Sequence, residues 1–206
     1  MAKTEIPPIA IDLDGGTDIG AAIVDADLFL IDDGAGGTMR KTAASRLKTY
    51  TDSKKILQVV STTKTDVFTT TSTSMTDITG LSVDITPASS SNTILVLVTI
   101  QGSQDIGANR VSAQLLRDST AIAVGASVGS RSQASVGLTS AHADLIGSAA
   151  TSTVDSPSTT SEITYKMQVA VTAGSGSAYI NQTENDGDSS GYPRYASTIT
   201  AMEIGA

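Results

Sequence analysis

The only histidine of the chain, His142, lies between two residues that could form a catalytic triad with it. Ser140 and Asp144 flank it, two residues away on each side. A serine nucleophile needs a histidine base that is oriented by a carboxylate, and residues this close in sequence cannot supply that geometry by themselves. The sequence therefore predicts an exposed loop histidine and no triad.

Paired carboxylates would be the other route to hydrolysis. Cleavage of a glycosidic bond needs two carboxyl groups held about 5–10 Å apart in a cleft. Glu162, Glu184 and Glu203 are dispersed along the chain, and no solenoid repeat is visible that would bring them together. We predict that the protein is not an enzyme, and a surface-polysaccharide hydrolase remains the less favoured alternative.

Two other segments resemble ligand-binding loops. Gly34–Gly37 lies between an apolar run and a helix-compatible stretch, but it lacks both the Gly-Lys-Ser/Thr ending of a P-loop and the full GxGxxG spacing. We predict a tight turn there.

Asp12–Asp18 alternates oxygen ligands around a glycine pair, as calcium loops do, without the bidentate glutamate at the far end. We predict no cofactor and no metal site, although the sequence leaves a calcium ion at Asp12–Asp18 open.

The segment between Tyr179 and Tyr195 is the strongest candidate for a binding loop. It gathers three of the seven aromatic residues with amides, carboxylates and an arginine. Tyrosine rings stack on the apolar faces of sugars, and the polar groups bind hydroxyls. The alternative is that the tyrosines pack at a subunit interface or cover the edge of the core. The predicted receptor contacts are Tyr179, Asn181, Asn185, Asp186, Asp188, Tyr192, Arg194 and Tyr195.

The elements that position these residues follow from composition. Small hydroxyl residues are abundant, with 27 Ser and 29 Thr among 206 residues, and aromatic residues are few, with no Trp and no Cys. The apolar residues are mostly Ala, Val, Ile and Leu, so the core is thin, and we expect further apolar surface to be buried between subunits. The net charge of −8 disfavours nucleic acid as a partner. No run of about 18 apolar residues is present, so we predict no membrane insertion.

The charged residues and the secondary-structure signals divide the chain near residue 55. Residues 1–33 carry eight acids against one lysine, and residues 34–55 carry six bases against one aspartate. An apolar run, Leu28–Ile31, precedes the glycine turn, and a helix is predicted from Thr42 to Tyr50 within a basic stretch. We predict an extended arm at 1–24 and a strand–turn–helix connector at 25–55.

From residue 56 onward the pattern is typical of β structure. Short alternating or apolar segments are separated by Ser, Gly, Asn and Asp turns, which favours a sandwich or jelly roll over 56–206. The segment Asn92–Ile100 is apolar at successive positions and is predicted as a central strand, while a hairpin turns at Asp118–Thr120. Residues 125–160 are predicted to hold poorly patterned strands and long surface loops. The remaining predicted strands are Ile56–Val60, Asp66–Thr73, Leu81–Ile85, Glu162–Val171, Ser177–Gln182 and Tyr195–Ile204.

Two parts of the chain carry a family resemblance. The connector, DADLFLIDDGAGGTMRKTAASRLKTY, resembles the N-terminal repeat of tailed-bacteriophage tail fibres. Residues 56–206 include ILQVVSTTKTDVFTTTSTSMTDITGLSVDITPASSSNTILVLVTI, QLLRDSTAIAVG, YKMQVAVTAGSGSAYIN and STITAMEIGA. Their order is similar to a C-terminal β-sandwich of phage virion proteins, with a layout like that of trimeric C1q/tumour-necrosis-factor jelly rolls. The expected fold class is mainly β, with a jelly-roll-like sandwich after the small connector.

The resemblance implies a homotrimeric virion protein. Residues 1–55 would attach to other tail or capsid proteins, and the sandwich would be displayed for adhesion to a host surface glycan or protein, as in a short tail fibre. The alternative is a capsid decoration or head-fibre trimer that cements the shell and binds no receptor. No signal peptide begins the chain, so we expect assembly in the cytoplasm of a bacterial host.

Overall fold

The structure is a computed structural model that describes residues 22–24, 26–32, 39–51, 55–105 and 110–206. The chain divides into two compact units, Met1–Ser53 and Lys54–Ala206. About half of the described residues lie in strands, and one helix is present among them. The predicted mainly β fold class is confirmed. The Asp12–Asp18 segment, the glycine turn at Gly34–Gly37 and most of the predicted arm lie outside the described residues.

The described part of the smaller unit is a hairpin followed by a short helix. Strand β1 (Leu28–Asp32) pairs antiparallel with β2 (Met39–Ala43), and helix α1 (Ala44–Thr51) begins at the next residue. The backbone N–H of Ala44 donates to the carbonyl of Asp27 at 2.9 Å. The predicted helix is confirmed except at its start. Thr42 and Ala43 lie in β2, because pairing with β1 satisfies their backbone groups and overrides the local helix preference.

The larger unit contains eleven strands among its described residues. They are β3 (Ile56–Lys64), β4 (Phe68–Thr70), β5 (Thr76–Ile85), β6 (Thr93–Gln104), β7 (Arg110–Arg117), β8 (Thr120–Ile122), β9 (Val136–Leu138), β10 (Gly147–Asp155), β11 (Ile163–Ala173), β12 (Ala178–Ile180) and β13 (Ser197–Ile204).

These strands form two antiparallel sheets. The six-stranded sheet has the order β3-β13-β6-β12-β4, with β10 also paired to β6. The five-stranded sheet has the order β5-β11-β7-β8, with β9 also paired to β7. One apolar core contains buried residues of both sheets, such as Ile94 and Val96 of β6 and Met167 and Val169 of β11. Two antiparallel sheets that share one core define a β-sandwich.

Most of the predicted strands are present. The central strand predicted at Asn92–Ile100 is β6, which pairs with β13, β10 and β12. The predicted hairpin is also confirmed: Arg117 pairs with Thr120, and Asp118 in the tight turn has φ +54°. The predicted strand Asp66–Thr73 was too long, because only Phe68–Thr70 pairs with a neighbour, β12.

The segment 125–160 agrees with the prediction only in part. It contains loops and the short strand β9, but its largest element is the regular nine-residue strand β10, which pairs with β6 without a register shift. The alternation of β10 is hard to see in the sequence, because the core-facing positions include Gly147, Ala149 and Thr151, which are small or polar. Backbone pairing with β6 therefore defines this strand more than side-chain hydrophobicity does.

Gly147 is expected to tolerate no side chain. A Cβ added there would overlap the carbonyl oxygen of Thr139. We expect Gly147→Ala to lower the free energy of unfolding by about 1–3 kcal/mol, since backbone must shift to admit the methyl group. Gly137→Ala is the matched control, because an added Cβ there has Val111 O as its nearest atom, at 3.9 Å. Urea unfolding measures both variants, and equal midpoints would contradict the packing described for Gly147.

Candidate functional site

The loop of residues 181–196, called here the 181–196 loop, joins β12 to β13 and starts from a buried asparagine. Asn181 is 0% exposed and has φ +64°, a conformation that asparagine adopts more readily than most residues. Its Nδ2 donates to the carbonyls of Lys64 at 2.9 Å and Asp66 at 3.0 Å, and its Oδ1 accepts from Ser197 Oγ at 2.7 Å. Asn181 therefore links this loop to the end of β3 and to the start of β13.

The next two residues of the loop are also buried. Gln182 Nε2 donates to Thr69 Oγ1 at 3.0 Å, and the carbonyl of Gln182 accepts from Ser103 Oγ at 3.0 Å. Thr183 Oγ1 donates to the carbonyl of Asn185. The bonds of Asn181 and Gln182 connect the start of the loop to the six-stranded sheet, so the loop leaves the sandwich from a fixed base.

Beyond this base the loop is mostly exposed. Arg194 Nη2 donates to Asp186 Oδ2 at 2.6 Å, and Arg194 Nη1 donates to Gln182 Oε1 at 3.2 Å. The ring of Tyr192 packs close to Gly187, where an added Cβ would lie 3.2 Å from it. The arginine therefore spans the loop from its base to its exposed part.

A second loop, residues 139–146, contacts the first. Asn185 Nδ2 donates to Asp144 Oδ1 at 2.6 Å, and the backbone N–H of Asn185 donates to the carbonyl of Ala143 at 3.3 Å. Asp144 lies beside His142, whose Nδ1 is 3.4 Å from Asp144 Oδ2. The two loops together present imidazole, carboxylate, amide, guanidinium and phenol groups on one exposed surface.

Six of the eight predicted contact residues belong to this surface. Asn185, Asp186, Asp188, Arg194 and Tyr195 are exposed, and Tyr192 is half-buried. The other two have structural contacts. Asn181 is buried as described, and the hydroxyl of Tyr179 donates to Asp105 Oδ1 at 2.6 Å. The pKa of Tyr179 is raised above its ordinary value, mainly by burial and to a lesser extent by the hydrogen bond to Asp105.

His142 and Asp144 were not among the predicted contacts, although His142 was predicted to be an exposed loop residue. They lie about forty residues before Asn185 in the sequence, and no local pattern connects the two segments. Only the fold brings Asp144 within hydrogen-bond distance of Asn185.

The geometry around His142 does not form a triad. Ser140 Oγ is buried and has no hydrogen-bond partner, so it is not bonded to the imidazole, which is itself well exposed. A nucleophilic serine would need that bond to its base. In the part of the chain that the structure describes, no group of three or more His, Cys, Asp or Glu side chains could hold a metal ion.

Glu203 in β13 is the most buried carboxylate of the sandwich, and it has structural partners. Its Oε1 accepts from the backbone N–H of Ala88 at 2.7 Å and from Asn92 Nδ2 at 2.6 Å, and its Oε2 accepts from Gln58 Nε2 at 2.6 Å. Burial alone would raise its pKa, but these hydrogen bonds together outweigh burial and hold the pKa below its ordinary value of 4.5. Glu203 therefore ties β3, the β5–β6 loop and β13 together, and it is not placed to act on a substrate.

The chain matches no protein-family model and no curated protein. Among the described residues, no helix is long and apolar enough to cross a membrane. The class that fold and site define is thus an antiparallel β-sandwich that presents a polar two-loop surface.

Proposed function

We propose that this chain is a non-enzymatic structural protein of a tailed-phage virion. In this proposal it is a short homotrimeric tail fibre, attached to the particle through residues 1–55, and its sandwich adheres to a glycan or protein of the host surface. The connector resemblance, the sandwich fold and the two-loop surface support the proposal.

The observation that carries the adhesion role is the contrast within the 181–196 loop. Its first three residues are buried, and two of them, Asn181 and Gln182, are hydrogen-bonded to the sheet, while its later residues are mostly exposed. A fixed base lowers the entropy that the loop loses when it binds a partner. The exposed part combines Tyr192 with the Arg194–Asp186 pair and Asn185, and this set of a ring, charged groups and an amide suits recognition of a saccharide.

The smaller unit supports the attachment role. Ile23, Val24 and Leu28 are exposed in it, and its described part is one hairpin and one short helix. A two-stranded hairpin is only marginally stable by itself in water, so a partner that covers these side chains would stabilise it. Either a tail protein or a capsid protein could be that partner, which keeps capsid decoration as the second candidate function.

A binding assay tests the adhesion role. The fluorescent full-length protein is applied to intact bacteria and to arrays of their lipopolysaccharides and capsular polysaccharides. We expect Arg194→Ala to weaken retention at least about tenfold, equivalent to about 1.4 kcal/mol, because the loop loses the arginine that spans it. Arg131→Ala, an exposed arginine of another loop, is the matched control and should bind like the native chain.

The outcomes separate the candidate functions. Equal binding by both variants would contradict a role for the 181–196 loop. No retention of the native chain on any probe would contradict adhesion, and immunogold labelling of the virion would then test decoration, because cement requires gold over the capsid. Release of reducing ends from the polysaccharides would instead indicate a hydrolase.

A further inference from the structure

The face of the six-stranded sheet that points away from the core is crossed by a row of apolar side chains. In the central strand β6, Ile94, Val96 and Val98 are buried in the core, so the alternate residues Leu95 and Leu97 point outward. We call this side of the sheet the outer face.

The strand registers place one outward apolar residue beside the next on four strands. Val59 of β3 lies opposite Met202 of β13, Met202 lies opposite Leu95 of β6, and Leu95 lies opposite Val154 of β10. We call these four residues the apolar row. Its two ends are the most accessible, with Val59 54% and Val154 59% exposed, and Leu97 next to the row is 38% exposed.

The rest of the outer face on these four strands is uncharged. Next to the row, the registers place small hydroxyl, alanine and amide side chains. They are Ser61 and Thr63 of β3, Thr198 and Thr200 of β13, Thr99 and Gln101 of β6, and Ser148, Ala150 and Ser152 of β10. An exposed face with an apolar row and no ionised side chain resembles the core of a protein interface, where charged residues are depleted.

The outward side of the five-stranded sheet is different. Lys166 Nζ donates to Asp77 Oδ2 at 2.7 Å, Gln168 Nε2 donates to the same carboxylate at 2.6 Å, and Asp84 accepts from Thr164 Oγ1 at 2.6 Å. A charged, hydrogen-bonded surface of this kind is stable in water. The outward sides of the two sheets therefore differ in charge, since among the described residues only that of the five-stranded sheet carries ion pairs.

We propose that the outer face of the six-stranded sheet is the surface through which copies of this chain associate. A second copy brings the same uncharged groups, so contact between the two faces, or between a face and its rim, carries no like-charge repulsion and buries no unpaired ion. A charged partner would have to leave its ions unpaired there. The proposal rests on the homotrimer of the proposed function and assigns that trimer its contact surface.

The size of the face is comparable with that of a small protein interface. Four strands about 4.8 Å apart, with about seven residues each, cover roughly 20 Å by 20 Å in projection. Accessible area exceeds projected area, so the face supplies a large part of the roughly 800 Å² that each partner of a standard interface buries.

Single-cysteine labelling tests the proposal on the full chain, which has no native cysteine. Leu97→Cys places the thiol on the outer face, and Val128→Cys places it on a loop outside both sheets, where Val128 is 49% exposed. In a lone subunit both thiols would react readily with a maleimide. We expect Leu97→Cys to react at least about tenfold more slowly than Val128→Cys in the native assembly, and equal rates would overturn the proposal.

Introducing charge into the apolar row gives an independent measurement. The double variant Val59→Asp with Val154→Asp is expected to be monomeric at micromolar concentration, with a mass of 20.9 kDa by light scattering. The native trimer should have about three times that mass. Val128→Asp should keep the native mass, and circular dichroism checks that each variant keeps its β-sheet signal. A folded double variant of native mass would overturn this surface and leave the trimer of the proposed function standing. A monomeric native chain would overturn both, whereas loss of host binding at native mass concerns the 181–196 loop alone.

Discussion

Replacing Glu203 with alanine is expected to lower the free energy of unfolding by about 3–5 kcal/mol. The carboxylate accepts hydrogen bonds from Ala88 N–H, Asn92 Nδ2 and Gln58 Nε2, and Glu203 itself is fully buried. Alanine would leave Ala88 N–H and Asn92 Nδ2 without this acceptor, and each unsatisfied buried group costs about 1–3 kcal/mol. Gln58 Nε2 would keep its bond to the carbonyl of Thr86. Water that enters the vacated space would restore only part of this stability.

Urea unfolding followed by circular dichroism measures the effect. Glu162→Ala is the matched control, because Glu162 is exposed at the edge of the same sandwich and should change stability by less than about 0.5 kcal/mol. A Glu203→Ala variant as stable as this control would contradict the role of Glu203 as the shared hydrogen-bond acceptor of these groups.

The same carboxylate predicts how stability depends on pH. The folded-state pKa of Glu203 lies below its ordinary value of 4.5. The ionised carboxylate is therefore more stable in the folded protein than in the unfolded chain. Its contribution is fully present above about pH 4.5 and is lost as the pH falls through the folded pKa. We expect Glu203→Gln to be less stable at neutral pH and to lose less further stability between pH 5 and pH 3. Parallel curves for the two proteins would contradict this.

Replacing Asn181 with alanine is expected to have the second large effect, about 2–4 kcal/mol on unfolding. The variant loses two bonds to the carbonyls of Lys64 and Asp66 and the bond from Ser197 Oγ, all in a buried site. Alanine also fits the positive φ of this position less well than asparagine. Because Asn181 forms the base of the 181–196 loop, host binding should fall together with stability.

Asn185→Ala separates the two effects. Asn185 is exposed and bonds to Asp144 across the two loops, so its loss should weaken binding while the free energy of unfolding changes by less than about 1 kcal/mol. If Asn181→Ala left both stability and binding intact, the described base of the loop would be wrong.

The main strands of the sandwich could be predicted from the sequence, because large apolar residues recur at every second position along them. In β6 and β11 nearly every second residue is a buried Val, Ile, Met or Tyr, which hydropathy shows directly. In β10 the inward positions are small or polar, so pairing with β6 defines the strand, and that pairing is not visible in a single sequence. For the same reason the start of α1 was misplaced, because the bonds of Thr42 and Ala43 to β1 are long-range.

The residue types of the candidate site could be predicted from the sequence, but the structural role of each residue could not. Tyrosines, amides and an arginine between Tyr179 and Tyr195 indicated a binding loop. Residue type could not show that Asn181 points into the sandwich while Asn185 points out, since both are asparagines in a turn-rich segment. The contribution of Asp144 depends on a contact between two loops about forty residues apart.

Cryo-electron microscopy of the intact particle is the decisive test of our proposal that this chain is a trimeric protein of the virion. We expect three copies around a threefold axis, with residues 1–55 at the attachment point, the outer faces of the six-stranded sheets buried between copies, and the 181–196 loops exposed to the surroundings. The proposal would be wrong if the protein were absent from the particle or present on it only as isolated single copies.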